Sequence, residues 1–419
     1  MNKELIAIIL AAGKGERMHS EIPKVLQPIC GRAMLEYVLE LVNDLKIKRK
    51  LLVLGYKADL VKKALKQKIE VVIQKELLGT ADAVKTAGNL LKGFKGTLLI
   101  LYGDHPLFKK ETIKNLIEHH LQNKPDVTLL SAKVRDPSGY GRILRDGQGN
   151  ICKIIEESEL DEFQKSIKEI NLGASCFEKE KLFSVLDYIK KDKSKNEYYL
   201  TKAIELLYKN KAVIETVKLT DIEQALGINT YLDLAKANRI MQMRIHQDLV
   251  AKGVRLVDPQ NIFINYNVSI GEGTIIYPFT VIENDVKIGR NCSLGPFLHL
   301  REGTRLKDNV VLGNFVEVVR SKIGKKSLAK HFSYLGDALI GKEVNIGAGT
   351  VTANYDGKKK NRTVIKDKAF IGSDTVLIAP VKIGRFATTG AGSVVTKHHD
   401  VADGKTVVGV PAKIFKKGS

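Results

Sequence analysis

The stretch INYNVSIGEGTIIYPFTVIENDVKIGRNCSLGPFLHLREGTRLKDNVVLG, residues 264–313, places an apolar side chain at every sixth position. Ile264, Ile270, Ile276, Ile282, Ile288, Leu294, Leu300, Leu306 and Leu312 keep the spacing, and Val318 continues it. Gly271, Gly289, Gly295 and Gly313 each follow one of them directly. An amphipathic helix and an ordinary strand have other periods, so neither accounts for this one. Hexapeptide units do: three of them make one turn of a parallel β-helix, with the apolar residue of each unit pointing inward. After a slip the register resumes through Ile340 and Ile346, then Ile365, Ile371, Leu377 and Ile383. The segment ANYDGKKKNRT, residues 353–363, interrupts the period and is expected to protrude as a loop, a common home for function.

Upstream the pattern is different. LIAIIL, KLLVLG, IEVVIQ, GTLLILYGD and DVTLLSAKV are short, β-rich runs, separated by amphipathic segments such as Ala33–Leu45 and Asp59–Gln67. Such alternation predicts a mainly parallel, Rossmann-like sheet covered on both faces, with ligands at the carboxyl ends of its strands. Thr230 to Lys252 reads as a connecting helix closed by Gly253. The expected organisation is therefore an α/β domain at 1–228, a connecting helix at 229–252 and a hexapeptide β-helix at 253–419.

Composition narrows the function classes. A chain of 419 residues with 44% hydrophobic residues supports two or three folded domains. No apolar run approaches the roughly 20 residues of a membrane helix, and IAIIL reads as a strand rather than a signal peptide. Cys30, Cys152, Cys176 and Cys292 lie far apart without a Cys-x-x-Cys pair, which fits packing residues in a reducing cytoplasm. The net charge of +21 comes from scattered clusters, KIKRK at 46–50, KKDKSK at 190–195 and GKKKNR at 357–362, with few aromatics beside them. That predicts a solvated basic surface that helps capture small anions, and no nucleic-acid partner.

The loop LAAGKGERMHSEIPKVL, residues 10–26, follows the first strand-like run. Met18 stands where a dinucleotide fingerprint needs its third glycine, and no Gly-Lys-Ser/Thr follows as in a Walker loop. What remains is a flexible backbone of amides followed by two cations, Arg17 and Lys24, a combination suited to a triphosphate. His105, in YGDHPL, reads as a loop residue.

LAAGKGERM…PKVL, Gln74 with LLGTADAV, and LILYGDHPL together resemble the sugar-nucleotidyltransferase family. GYGRI, the Glu156 region, EINLGASCF, NEYYLT and GIN extend the resemblance to the bacterial bifunctional N-acetylglucosamine-1-phosphate uridylyltransferase/glucosamine-1-phosphate acetyltransferases, over nearly the whole chain. The resemblance implies that Leu10, Ala12, Gly13, Lys24, Gln74, Gly79, Thr80, Tyr102 and Asp104 contact the nucleotide of UTP. It implies charge stabilisation by Arg17 and Lys24, and Mg²⁺ held by Asp104 and Asn229. Gly141, Glu156, Asn171, Tyr199, Thr201 and Asn229 would line the sugar-phosphate pocket. Because the attacking group is already a phosphate anion, such a transfer needs positioning and charge neutralisation rather than a general base.

HFSYLGDALIGKEVNIGAGTVTANYDG, residues 331–357, resembles the acetyltransferase segment of the same family. There His331 would take the amine proton, a role suited to a group that titrates near neutrality. Arg301, Tyr334, Asn345 and Lys360 would bind the amino-sugar phosphate, joined by Asn354 and Tyr355, which also face acetyl-coenzyme A alongside Ser373 and Ala391. His299, His398 and His399 read as surface or turn residues. Two positions depart from the family pattern: Val319 replaces a usual lysine near the sugar phosphate, and Val410, in GVPAK, a usual arginine near coenzyme A. Arg320 is the neighbouring cation, although adjacent strand residues face opposite ways. The resemblance further implies a left-handed β-helix, a homotrimer with acetyl sites at subunit boundaries, and precursor supply for peptidoglycan and lipopolysaccharide. The alternative is a monofunctional sugar-1-phosphate nucleotidyltransferase whose β-helix serves assembly or regulation.

Overall fold

The computed structural model describes residues 4–192 and 196–415. Residues 193–195 of the KKDKSK cluster lie outside the described residues. The chain divides into two compact units, Met1–Asn238 and Arg239–Ser419. The division falls inside a single long helix, Tyr231–Ala251, that occupies the expected connecting segment, and Gly253 beyond it has the left-handed φ of 82° of a helix stop.

In the first unit the strands of the main sheet are β1 (Leu5–Ala11), β2 (Arg49–Leu54), β3 (Glu70–Ile73), β4 (Thr97–Tyr102), β5 (Val127–Lys133), β6 (Arg142–Arg145), β7 (Ile151–Ile155), β8 (Glu169–Glu178) and β9 (Ile214–Lys218). Seven form a path in the order β9-β5-β8-β4-β1-β2-β3, and β6 pairs with β8 and β7. The β3-β2-β1-β4 run is parallel, as the alternation predicts, whereas β8 inserts antiparallel between β5 and β4. Central strands are buried along almost their whole length, Ile6 to Ile9 at 2% exposure or less, which explains why they read as continuous apolar runs. The Ala33–Leu45 pattern is a helix at Met34–Asp44, and the second stops at Ala64 rather than Gln67.

The second unit is a coil of short parallel strands in three ladders. Inward residues stack turn upon turn: Ile276 opposite Leu294 opposite Leu312, Ile264 opposite Ile282 opposite Leu300, Ile270 opposite Ile288 opposite Leu306. Partners lie eighteen residues apart, three hexapeptides per turn. All nine are at least 93% buried, and each contributes about 1.5–3 kcal/mol by leaving water. The slip has a local cause. Leu306 pairs with Ile323 and Leu312 with Ala329, turns of seventeen residues, so the inward series runs Val318, Ile323, Ala329, Leu335, Ile340. One later turn is longer: Ile346 faces Ile371, and Ala338 faces Thr363. The additional residues are the expected loop, closed by a bridge between Tyr355 and Lys360.

The corners carry their own cost. Asn267, Phe279, Asp285, Asn291, Phe297, Asn309 and Phe315 each sit three residues past an inward one with φ between 52° and 64°. A non-glycine residue loses roughly 1–2 kcal/mol in that conformation. Buried hydroxyls at the turns offset part of this by donating to backbone carbonyls, Thr274 to Gly289 (3.0 Å) and Thr304 to Val318 (3.1 Å). Three corner phenylalanines stack in a column, Phe279 on Phe297 at 4.8 Å and Phe297 on Phe315 at 5.1 Å between ring centres.

Candidate functional site

At the carboxyl end of β1 the backbone turns away at once: Gly103 N–H donates to Leu10 O (2.8 Å) and Tyr56 N–H to Ala12 O (3.0 Å). Leu10 and Ala12 are buried, whereas Gly13 opens to solvent, and a Cβ there would meet nothing within 4 Å. Gly15 has φ 69°, and a Cβ would lie 2.6 Å from Lys24 Cβ, so two independent constraints require glycine. This close packing aims Lys24. Its Nζ forms a short ion pair with Asp104 Oδ2 and donates to Asn229 Oδ1 at 3.1 Å. Arg17 stays exposed and makes no ion pair among the described residues.

Asp104 lies just past β4, and its backbone carbonyl accepts from Ile228 N–H (3.0 Å), which brings the Gly227–Asn229 loop beside it. Asn229 is held further by the helix start: Asp233 accepts from Asn229 N–H (3.1 Å), Thr230 N–H (2.9 Å) and Thr230 Oγ1 (2.8 Å), while Asp233 N–H donates back to Thr230 Oγ1 (3.1 Å). That reciprocal arrangement is a capping box with aspartate in the third position. Burial pushes the Asp104 carboxyl up, but Lys24 and then His105 more than offset it and hold it below the usual carboxylate range. His105 is lowered by burial. Its ring lies on the loop, as expected, yet is packed there between Tyr102 and Phe108 at 5.7 and 5.9 Å and flanked by Gly173 and Gly227. The approach of Gly173 and Gly227 was invisible in the sequence, because each lies more than sixty positions from His105.

Gln74 and Gly79 meet directly, the carboxamide nitrogen donating to Gly79 O at 3.0 Å. The Thr80 hydroxyl accepts from Leu200 N–H (2.8 Å), tying this loop to the segment of Tyr199 and Thr201. Thr201 Oγ1 donates to Glu156 Oε1 (2.6 Å), Asn171 N–H donates to Gly141 O (2.9 Å), and a small cavity is lined by Tyr102, Asn171 and Thr201. Burial, then Glu156, raises the Tyr102 hydroxyl, and burial raises that of Tyr199, so both stay neutral donors. The residues expected around nucleotide, metal and sugar phosphate thus converge on one rim of the sheet. The donor pair Asp104 and Asn229 is hard oxygen on a site that already attracts a cation, which fits Mg²⁺. Among the described residues no three His, Cys, Asp or Glu side chains gather for a metal, so phosphate oxygens and water would complete the shell.

In the second unit, strand Leu328–Gly336 carries both His331 and Tyr334. His331 is exposed, its ring without a hydrogen bond among the described residues, and Tyr334 stands opposite Glu317 in the ladder. Arg301 Nη1 donates to Glu317 Oε1 at 2.9 Å. Asn354 donates to Asp337 (2.5 Å) and reaches the Tyr334 hydroxyl at 3.5 Å, and Lys360 lies near enough to lower the Asp337 carboxyl further after Arg320 and Asn354. Asn345 pairs with Leu328 on the next turn, and Tyr355 Oη closes its own loop on Gly357 O (2.7 Å). Ser373 and Ala391 are exposed on later turns. Val319 is 3% exposed, while Arg320 clamps Asp337 with two bonds of 2.7 and 2.8 Å. His299 bonds Glu283 (3.0 Å), and His398 and His399 sit at a turn. Cys30, Cys152, Cys176 and Cys292 form no disulfide among the described residues, and no helix among them is long and apolar enough to cross a membrane.

A family model described as nucleotidyl transferase matches residues 6–236, and one described as bacterial transferase hexapeptide (six repeats) matches residues 267–301. The bifunctional protein GlmU of Thermotoga maritima is 43% identical over 446 residues, covering 98% of each chain. That of Geobacillus sp. (strain WCH70) is 41% identical over 423 residues, covering 93% of this chain and 92% of the relative. That of Clostridioides difficile is 37% identical over 445 residues, covering 98% and 96%. Among solved structures, a UDP-glucose pyrophosphorylase complexed with UDP-glucose aligns at 16% identity and a TM-score of 0.48 over 57% of this chain and 98% of that one. The similarity to the GlmU proteins runs through both compact units, and the chain belongs to the family of bifunctional GlmU proteins.

Proposed function

We propose that the chain makes UDP-N-acetylglucosamine at two separate sites. The β-helix unit transfers acetyl from acetyl-coenzyme A to the amine of glucosamine-1-phosphate. The α/β unit then transfers uridylyl from UTP to N-acetylglucosamine-1-phosphate and releases pyrophosphate. The observation that carries the second step is the meeting of Lys24, Asp104 and Asn229 beside the glycine loop, from positions far apart in the chain.

In the uridylyl step Gln74, Gly79, Thr80 and Ala12 receive the base and ribose. Glu156, Asn171, Tyr199, Thr201 and Gly141 hold the sugar. Asp104 and Asn229 would hold Mg²⁺, which neutralises charge on the phosphates when bound. Lys24 yields those two oxygens on loading and turns its ammonium to the phosphates, where the exposed Arg17 joins it. Both cations stabilise charge at the α-phosphate and on departing pyrophosphate. No side chain need take a proton.

In the acetyl step the amine attacks the thioester carbonyl, the C–S bond breaks, and the coenzyme A thiol leaves. His331 takes the amine proton and passes it to the departing sulfur. Arg301, Tyr334, Asn345 and Lys360 hold the sugar phosphate, and Asn354, Tyr355, Ser373 and Ala391 face acetyl-coenzyme A. A homotrimer supported by the exposed phenylalanine column, 46–59% open to solvent, supplies the neighbouring surfaces. A reducing, cytoplasmic setting suits four cysteines that form no disulfide among the described residues.

Two assays on purified protein test this reading. His331→Ala is expected to abolish acetyl transfer and spare UTP-dependent pyrophosphate release; Asp104→Ala is expected to do the reverse. Wild-type protein that consumes no acetyl-coenzyme A with glucosamine-1-phosphate would leave the monofunctional nucleotidyltransferase.

A further inference from the structure

Gln74 follows β3 and is 3% exposed. Its carboxamide nitrogen donates to two groups, Gly79 O at 3.0 Å and Asp82 Oδ2 at 2.7 Å. A backbone carbonyl and a carboxylate can only accept, so the nitrogen must face both of them. Both N–H bonds are consumed, and Oε1 points elsewhere with no partner among the described residues. The two acceptors are themselves fixed. Gly79 has φ 100°, and a Cβ there would stand 2.7 Å from Tyr198 O, which also accepts from Ala81 N–H at 2.8 Å. Asp82 sits in the first turn of the helix Thr80–Thr86.

We propose that Asp82 is a positioning residue that locks the Gln74 amide with its oxygen toward the nucleotide, so that the pocket selects a base with an imide N–H. The proposal rests on the reading of this unit as a uridylyltransferase with Gln74 at the base. Uracil and thymine offer a donor at N3, which Oε1 accepts. Cytosine offers a lone pair at N3, which Oε1 repels. A freely turning carboxamide would rotate by half a turn and donate to cytosine instead. Here that rotation sets Oε1 against Gly79 O and the Asp82 carboxylate, two acceptors facing an acceptor, so the wrong base meets an unpaired polar group. Selectivity belongs to the lock, since glutamine alone accepts either base.

The test compares kcat/KM for UTP and CTP, read as pyrophosphate release with N-acetylglucosamine-1-phosphate and Mg²⁺. Asp82→Asn gives residue 82 a donor as well as an acceptor, so a turned amide pairs there and keeps only the opposition of Gly79 O. The UTP/CTP ratio is expected to fall at least about tenfold, through KM, with kcat for UTP little changed. Asp82→Ala is expected to move the ratio the same way, and Asp82→Glu, which keeps a carboxylate, to preserve much of it. Acetyl transfer by the same preparations, with circular dichroism, checks folding. A UTP/CTP ratio unchanged in folded Asp82→Asn and Asp82→Ala overturns the lock, as does a wild type that uses CTP as well as UTP. Wild-type protein that releases pyrophosphate from no nucleotide overturns the parent reading instead.

Discussion

Gly227 presses on the one ring that the site cannot move. Its φ lies outside the left-handed region, so alanine meets no backbone strain there, only the space around it. That space is filled: a Cβ would stand 2.8 Å from His105 Nε2 and 3.2 Å from Cε1. The ring has little room to retreat, because Tyr102 and Phe108 flank it with ring centres at 5.7 and 5.9 Å and the Gly173 backbone lies beside Cε1. In Gly227→Ala the backbone of 227–229 must therefore give way. That stretches the Ile228 N–H bond to Asp104 O and draws Asn229 off Lys24, which it shares with Asp104. Overpacking by one methyl costs about 1–3 kcal/mol. Expressed fully in the transition state, this is a loss of about 5- to 150-fold in kcat/KM for pyrophosphate release. The requirement for Mg²⁺ should rise, and acetyl transfer should not change. His105→Ala removes the obstacle, so the double variant should recover most of the loss, with a coupling of about 1–3 kcal/mol in a double-mutant cycle. Wild-type kinetics in Gly227→Ala, or a double variant no better than the single, would refute the steric argument.

Two further outcomes follow from the second unit. Leu294→Ala opens a hole in the middle of a stack with Ile276 and Leu312, and should destabilise the β-helix by about 2–5 kcal/mol, read as a lower urea midpoint; an unchanged midpoint would mean the column is not close-packed. Asp356 accepts from Lys359 N–H, the Asn361 amide and Lys358 N–H, which hold its carboxyl down to about 2. A depressed carboxylate stabilises the loop fully above its unfolded pKa, near 4, and loses that contribution as pH falls toward 2. A carboxyl-resolved NMR titration should give a midpoint near 2; one near 4 would show that those bonds do not form in solution.

What could be read in advance depended on whether the determining contacts repeat. The β-helix was legible because one packing problem, an inward side chain per hexapeptide, is solved again at each step from Ile264 to Val318. Its shortened turns were not, since Ile323, Ala329 and Leu335 are inward but off the period, and a five-residue step looks like noise until the ladder is seen. In the α/β unit the strands could be read and their neighbours could not. The antiparallel insertion of β8 depends on which edge a distant strand joins, and nothing local to EINLGASCF encodes it. The site residues named from motifs do converge, yet the groups that position them did not stand out in the sequence: Asp233, beyond the motifs, caps the helix after Asn229, while Gly227, Gly173 and Gly15, inside GIN, EINLGASCF and LAAGKGERM, act by admitting a ring and the Lys24 stem.

The β-helix turns a sequence offset into a spatial neighbour, and that bears on the two departures. One turn on, Val319 meets Gly336 and His299 meets Glu317, which meets Tyr334. Position 319 is enclosed, so its side chain offers nothing to a substrate phosphate from where it stands. Arg320, one residue along, is not a spare cation either: both of its bonds go to Asp337, whose other partner is Asn354. On the proposed function, the cations left for an amino-sugar phosphate would be Arg301, shared with Glu317, and Lys360, carried in by the interrupting loop. Lengthening that one turn sets a lysine near Asp337, where the regular repeat would have supplied only a corner. On the proposed function, the interruption in the period at ANYDGKKKNRT is the means by which a structural repeat would acquire a binding residue, and the valine at 319 would throw more of the phosphate's recognition onto it.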